Sequence, residues 1–248
     1  MEASRNYFLG GREQWLMQRK GRITASDFHK LFQNGRRPMT PEELRARQKG
    51  DTRKTVDTFF GEIAMTLIRS KIAEMTSTEI DREINGNGLV KSIEWGITYE
   101  SEAAEEFKKR TGLSIIYHGL NSPVFYPYGD YSGGSPDFDV IDENAGGEIK
   151  CPVDENEHIR RLLIKSIDQF KDEDYAAYCQ CQGNMYIMKR DWWYFASYDP
   201  RKKDEALRMK IIKLYPDLGW QKEFDERLDA AVEMMADILY DTDKYLSI

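Results

Sequence analysis

The chain has 248 residues, 40% hydrophobic and 32% charged, with a net charge of -7 and a mean hydropathy of -0.68. This composition excludes a disordered or membrane chain and is read as one soluble domain over residues 1–248, long enough to bury a sizeable core. No apolar run reaches the roughly 20 residues of a membrane helix, and MEASRNYFLGGREQW lacks the basic start and apolar stretch of a signal peptide, so no membrane association and a cytoplasmic location are expected.

Along the chain, residues 33–51 (QNGRRPMTPEELRARQKGD) mix Gly and Pro breakers with charges and predict a surface loop with one short helix. From Arg53 to Ile84, the apolar positions Val56, Phe59, Phe60, Ile63, Ala64, Leu67, Ile68, Ile72 and Met75 recur at three and four residues, predicting an amphipathic helix ended by NGNG at residues 85–88. A second helix is predicted over Glu94 to Arg110, with Trp95, Tyr99, Ala103, Ala104 and Phe107 in one stripe and Gly112 as its stop. Extended segments follow at 114–117, 124–126, 138–141 and 147–150, the last two joined through 142–146 as a hairpin. A helix at 175–188, strands at 192–198 and 207–214, and a closing helix within 218–242 complete an α/β (α+β) arrangement of a mixed sheet flanked by helices.

The net charge conceals an asymmetry. Residues 1–60 hold 13 Lys and Arg against 7 Asp and Glu, and residues 61–248 hold 23 against 36. A basic face on an acidic body suits a protein that holds a polyanion in one groove and repels it elsewhere. Cys151, Cys179 and Cys181 form no C-x-x-C pair and read as buried, inert thiols. His29, His118 and His158 lack ligand spacing and are assigned no metal.

The chemistry concentrates in SPDFDVIDENAGGEIKCP. Alternate residues of a strand share a face, so Glu148 and Lys150 point together while Ile149 points to the core, and Asp137 can approach Glu148 across the hairpin. Two carboxylates beside an ammonium suit Mg²⁺, which takes one or two carboxylates, water and substrate phosphate oxygens. The Ile149 carbonyl is a further candidate ligand. Such a site suits phosphodiester hydrolysis, with Lys150 orienting water and steadying negative charge. The bland alternative is a solvated charge pair on an edge strand.

Asp137 followed by Glu148-Ile149-Lys150 resembles the PD-(D/E)xK nuclease superfamily, and SPD…EIKCP resembles its lambda exonuclease branch, the YqaJ-type viral recombinases. The blocks WLMQRKGRITASDFHKLF, WGITYESEAAEEFKKRTG, YCQCQGNMY and WYFASYDPR occur in that family's order, over a core of about 15–201. The resemblance implies Asp137, Glu148 and the Ile149 carbonyl as holders of Mg²⁺, with Mn²⁺ also supporting activity, and Lys150 as the residue that assists water. It places Glu100 beside the metal, directly or through water, and Gln182 near the catalytic centre. It implies a 5′-phosphate pocket of Arg19, Ser26 and Ser135, an apolar wedge at Ile93, and DNA-groove contacts at Arg36 and Arg37. Without it, Ser26 is a helix N-cap and Ile93 a core residue.

The implied activity is 5′-to-3′ digestion of one strand of linear duplex DNA by a ring-shaped homotrimer that passes the 3′ strand to a single-strand annealing protein. Three departures stand out: Phe138 where the lambda enzyme has Gly, a hairpin one residue longer, and a longer stretch between Phe32 and Ser92. Two other functions remain open at this point. One is a structure-specific or restriction-type endonuclease with the same metal site, and the other a non-catalytic DNA-end binder.

Overall fold

A computed structural model describes residues 8–9, 11–78 and 87–240. The N-terminal part contains β1 (Phe8–Leu9), α1 (Arg12–Arg19), β2 (Ile23–Thr24), α2 (Phe28–Leu31), β3 (Gly35–Pro38), α3 (Pro41–Ala46), β4 (Thr55–Thr58) and α4 (Glu62–Thr76). The middle contains α5 (Asn87–Thr111), β5 (Ile115–Tyr117), β6 (Val124–Tyr128), β7 (Ser132–Gly134), β8 (Phe138–Val140) and β9 (Ala145–Lys150). The remainder is α6 (Glu155–Leu162), α7 (Ile167–Glu173), α8 (Tyr175–Ile187), β10 (Trp192–Tyr198), β11 (Met209–Leu214) and α9 (Leu218–Tyr240).

The main sheet runs β11-β10-β9-β8-β5, with β9 and β10 parallel and the other neighbours antiparallel. Its organising strand is β10, WWYFASY, which is apolar enough to be buried on both faces. Alternation divides the strand between two cores. Trp193 and Phe195 pack with Tyr178, Cys181, Met185 and Phe170 from α8 and α7, whereas Tyr194 and Ala196 pack with Ala103, Ala104 and Phe107 from α5. The predicted α5 stripe is therefore the one that covers the sheet. Helix α8 is fixed at its start by Asp174, whose side chain caps Ala177 and accepts from Arg161 Nε at 2.8 Å. A second sheet, β1-β6-β7-β2, packs through β6 and β7 on α8, which also covers β9 and β10 of the first.

Three sequence expectations change. The helix read over 53–84 is α4 alone; residues 55–58 instead pair with β3 as a two-stranded ribbon. The chain enters α4 at Gly61, whose N–H donates to the Gln33 carbonyl at 2.7 Å, so helical periodicity upstream of it was coincidental. Asn87 and Gly88 begin α5 rather than end a helix, and residues 79–86 and 241–242 lie outside the described set. Leu207 ends a short 3-10 turn, with the strand starting at Met209. Among the described residues, no helix is long and apolar enough to cross a membrane.

Phe138, the departure after Pro136-Asp137, is accommodated by its cross-strand partner Gly147. The ring is fully buried, 4.7 Å from that of Phe107, and lies where a Cβ at 147 would be. Gly147→Ala is therefore expected to lower stability by about 1–3 kcal/mol through overpacking. Denaturant unfolding should show that loss and its partial recovery on adding Phe138→Leu; an unchanged midpoint for Gly147→Ala would contradict the packing described.

Candidate active site and phosphate pocket

The β8–β9 register carries Asp137 to the position opposite Glu148. Asp137 donates its N–H to the Gly147 carbonyl at 3.0 Å, and its Oδ2 accepts the Ile149 N–H at 2.6 Å. Glu148 is 2% exposed, and its Oε1 accepts from Lys150 Nζ at 2.7 Å. Ile149, on the opposite face, packs into the α5 core.

Helix α8 supplies the rest of the Glu148 environment. Gln180 Nε2 donates to Oε1, and Asn184 Nδ2 lies 3.5 Å from Oε2 and 3.4 Å from the Ser135 carbonyl. These residues are one turn apart and share a helix face. Gln182 is about 200° round the helix from Gln180 and faces away. Its amide donates to the Tyr215 carbonyl at 2.9 Å and accepts the Asp217 N–H at 3.0 Å, which ties it to the β11–α9 connection. The Q-C-Q spacing thus separates a residue at the carboxylates from one that braces the fold. Polar residues spaced i, i+4 in a helix otherwise buried would have been the signal for Gln180 and Asn184.

Glu100, on α5, accepts from Tyr117 Oη at 3.0 Å and lines the same cleft as Asp137. Burial raises the Asp137 carboxyl well above its ordinary range, and the charges of Glu148 and Glu100 add to this. Glu100 is raised by burial and by Glu148, against the opposing hydrogen bond from Tyr117. Burial would lower Lys150, but Glu148 and Asp137 outweigh it and hold the ammonium above its usual range. Three carboxylates against one ammonium leave a deficit of positive charge, and all three offer hard oxygens. That donor set fits a divalent cation such as Mg²⁺. Among the described residues, no group of three or more His, Cys, Asp or Glu is arranged to hold an ion unaided; main-chain and water oxygens would complete the shell.

Asp137 also lines a second cavity of about 160 Å³ with Arg19, Ser26, Ser135, Trp15 and Gln180. Arg19 stacks 4.3 Å over the Trp15 ring, and its terminal nitrogens reach Ser135 Oγ at 3.4 Å and Thr24 Oγ1 at 3.3 Å. Its pKa is lowered by burial, and among the described residues no carboxylate lies within ion-pair distance of it. Trp15 Nε1 donates to Ser135 Oγ at 3.0 Å, and Ser26 Oγ lies 3.1 Å from Thr24 Oγ1. Ser26 does not cap a helix with its side chain; Asp27 occupies the N-cap of α2. Trp15, absent from the sequence-derived site, closes both cavities. The larger, about 520 Å³, is bounded by Trp15, Asp137, Glu100, Ile97 and Leu120.

The remaining candidates lie farther out. Ile93 is 40% exposed on α5, which removes the core reading, and Ile97 one turn later is equally exposed. Arg36 and Arg37 are exposed on β3, paired with Asp57 and Glu43. Cys179 and Cys181 are fully buried, whereas Cys151 is half-buried beside the site; burial raises all three thiols, Cys179 to about 12. His158 is a buried structural residue between Ser197 and the Leu207 carbonyl.

The profile of the YqaJ-like viral recombinase domain matches residues 14–191. The chain belongs to the YqaJ-like viral recombinase family. A 64-residue stretch is 36% identical to the protein ExoD of Escherichia coli (strain K12), covering 26% of this chain and 71% of that protein. The fold of this YqaJ-like chain is similar to that of an alkaline exonuclease from Laribacter hongkongensis, with a TM-score of 0.66 and 20% identity over 94% of this chain and 97% of the other. A phage-related exonuclease from Haemophilus somnus 129PT is similar at a TM-score of 0.61 and 15% identity, over 92% and 99%. In the YqaJ-like chain the matched segment includes Trp15, Arg19, Glu100, Asp137, Glu148 and the amides Gln180, Gln182 and Asn184 of α8.

For a cation held at Glu148, Gln180→Leu and Asn184→Leu should each weaken Mn²⁺ binding about 10–100-fold, the usual cost of losing a residue that orients a metal ligand. Gln182→Leu should lower stability without that loss. Titration calorimetry with thermal melting separates the two; the reverse pattern would contradict the helix-face assignment.

Proposed function

We propose that the chain is a divalent-metal-dependent 5′-to-3′ exonuclease on linear duplex DNA, leaving 3′ single strands for recombination by strand annealing. The observation that carries this reading is the shared position of Asp137, which belongs to the carboxylate site and borders the Arg19 cavity. A half-buried guanidinium whose contacts are hydroxyls and an indole face is suited to receive an anion. A terminal phosphate suits it, being compact and dianionic.

In this scheme, Asp137, Glu148 and the Ile149 carbonyl hold Mg²⁺, with Glu100 beside it, and Mn²⁺ substitutes. The cation, when bound, supplies Lewis acidity toward the scissile phosphate. Lys150 donates to the attacking water and to the negative charge that grows on phosphate. Arg19 clamps the terminal phosphate, and Ser26 and Ser135 add hydroxyl donors. The Trp15 and Arg19 hydrogen bonds into Ser135 Oγ leave its own proton free for the ligand. Gln180 and Asn184 keep the Glu148 carboxylate oriented, while Gln182 acts only through the fold. Ile93 stands at the exposed edge of α5 as the wedge that opens the end.

The exonuclease of similar fold from Laribacter hongkongensis has been crystallised in complex with dAMP, a nucleoside monophosphate, and a terminal-phosphate ligand for this chain is in keeping with that. Family membership supports a ring-shaped homotrimer, to be checked by light scattering, and delivery of the 3′ strand to an annealing protein in the host cytoplasm.

With Mg²⁺, linear duplex DNA bearing 5′-phosphates is expected to be digested and closed circular DNA to survive. Asp137→Ala and Lys150→Ala should abolish turnover while the protein stays folded. Cutting of closed circles would establish an endonuclease instead, and binding without cleavage an accessory role. Arg19→Ala should erase about 10–100-fold of the advantage of phosphorylated over hydroxyl ends, the scale of a charge-assisted contact; equal loss on both would remove the phosphate assignment.

A further inference from the structure

Residues 35–58 leave the body as an arm. β3 and β4 form a separate two-stranded sheet, with α3 between them. Thr40 and Glu43 close a capping box at the start of α3, and the Glu43 carboxylate also receives both terminal nitrogens of Arg37, at 2.8 and 2.7 Å. The root is tied to α9 by buried Arg227. Its guanidinium donates to the carbonyls of Leu31 (2.9 Å) and Phe59 (3.2 Å) and to Asn34 Oδ1 (2.8 Å).

Charge is unevenly used along the arm. Residues 35–58 hold 7 Lys and Arg against 4 Asp and Glu, in a chain of net charge -7. Three of the acids are spent inside the arm: Asp57 on Arg36, Glu43 on Arg37 and Asp51 on Arg53. Among the described residues, Arg45, Arg47, Lys49 and Lys54 have no carboxylate within ion-pair distance. Arg45, Lys49 and Lys54 are exposed, and Arg47 is half-buried through bonds to the Leu44 and Arg53 carbonyls. No aromatic residue occurs between positions 35 and 58.

We propose that Arg45, Arg47, Lys49 and Lys54, at the outer part of the arm, grip the phosphate backbone of duplex DNA. Single-stranded nucleic acid is held largely by bases stacking on aromatic side chains, and the arm offers none. Its cations suit sequence-independent backbone contact. Arg36, the groove candidate from the sequence, is engaged by Asp57 near the root, so the grip passes to the residues beyond it. The arm follows the Ala25–Ser26 edge of the phosphate cavity after the single turn of α2. This proposal rests on the exonuclease reading, since it concerns the duplex whose end that site would receive.

The test is duplex binding by fluorescence anisotropy at 50 to 300 mM NaCl, in EDTA to prevent cutting, for the native chain and a variant carrying Arg45→Gln, Arg47→Gln, Lys49→Gln and Lys54→Gln. Each lost phosphate contact lowers the slope of log affinity on log salt by about 0.9. A slope lower by about 2–3.6 is expected, with affinity at 150 mM NaCl at least about tenfold weaker. The melting temperature should persist. The charge-preserving variant Arg45→Lys, Arg47→Lys, Lys49→Arg and Lys54→Arg should retain the native slope, separating charge from folding. An unchanged slope in the Gln variant overturns the arm proposal and leaves the exonuclease reading standing if the native chain digests linear DNA. Failure of the native chain to bind duplex at all overturns both.

Discussion

Burying Glu148 beneath α8 is the constraint on which the rest of the site depends. An ionised carboxylate inside a sheet is costly unless its oxygens are satisfied, and here Lys150, Gln180 and Asn184 meet that need. Asp137 is brought opposite it by the ladder and is held by the Ile149 N–H, so two acids are forced together that would otherwise repel. The five-stranded sheet resists their separation because β9 is paired on both edges and β10 is buried on both faces. The fold thereby stores an electrostatic demand for a cation.

The same economy extends to the phosphate cavity. Ser135 links the two sites: its carbonyl faces Asn184, and its hydroxyl receives Trp15 and Arg19. Under the proposed function, an end held at Arg19 would lie against residues continuous with the carboxylate site. This continuity explains in physical terms why chemistry and end recognition are expected together, and why circular DNA, which presents no terminal phosphate, would be a poor substrate.

Much of this was legible in the sequence. Period-two patterning placed Glu148 and Lys150 on one face, the turn-rich 142–146 link set the hairpin, and the α5 stripe identified the sheet-facing residues. The blocks around Arg19 and Ser135 were brought together although they are 116 residues apart. What escaped notice had weak local signals. The 55–58 strand is hidden by apolar spacing that continues into α4, and the Q-C-Q motif does not state which of its two amides faces Glu148. Trp15 became visible only when α1 folded over Ser135. The arm looked like a loop because its order comes from Arg227, far along the chain.

Whether buried acids await a cation can be measured without turnover. Calorimetric melting of the native chain and Asp137→Asn, with and without Mg²⁺, addresses it most directly, because a ligand bound only by the folded state raises the melting temperature. Mg²⁺ is predicted to stabilise the native chain and to leave Asp137→Asn unmoved, while the substitution alone, by removing one repelling charge, leaves the metal-free protein at least as stable. A native melting temperature indifferent to Mg²⁺, or an equal rise in both proteins, would contradict a cation site built on Asp137 and Glu148.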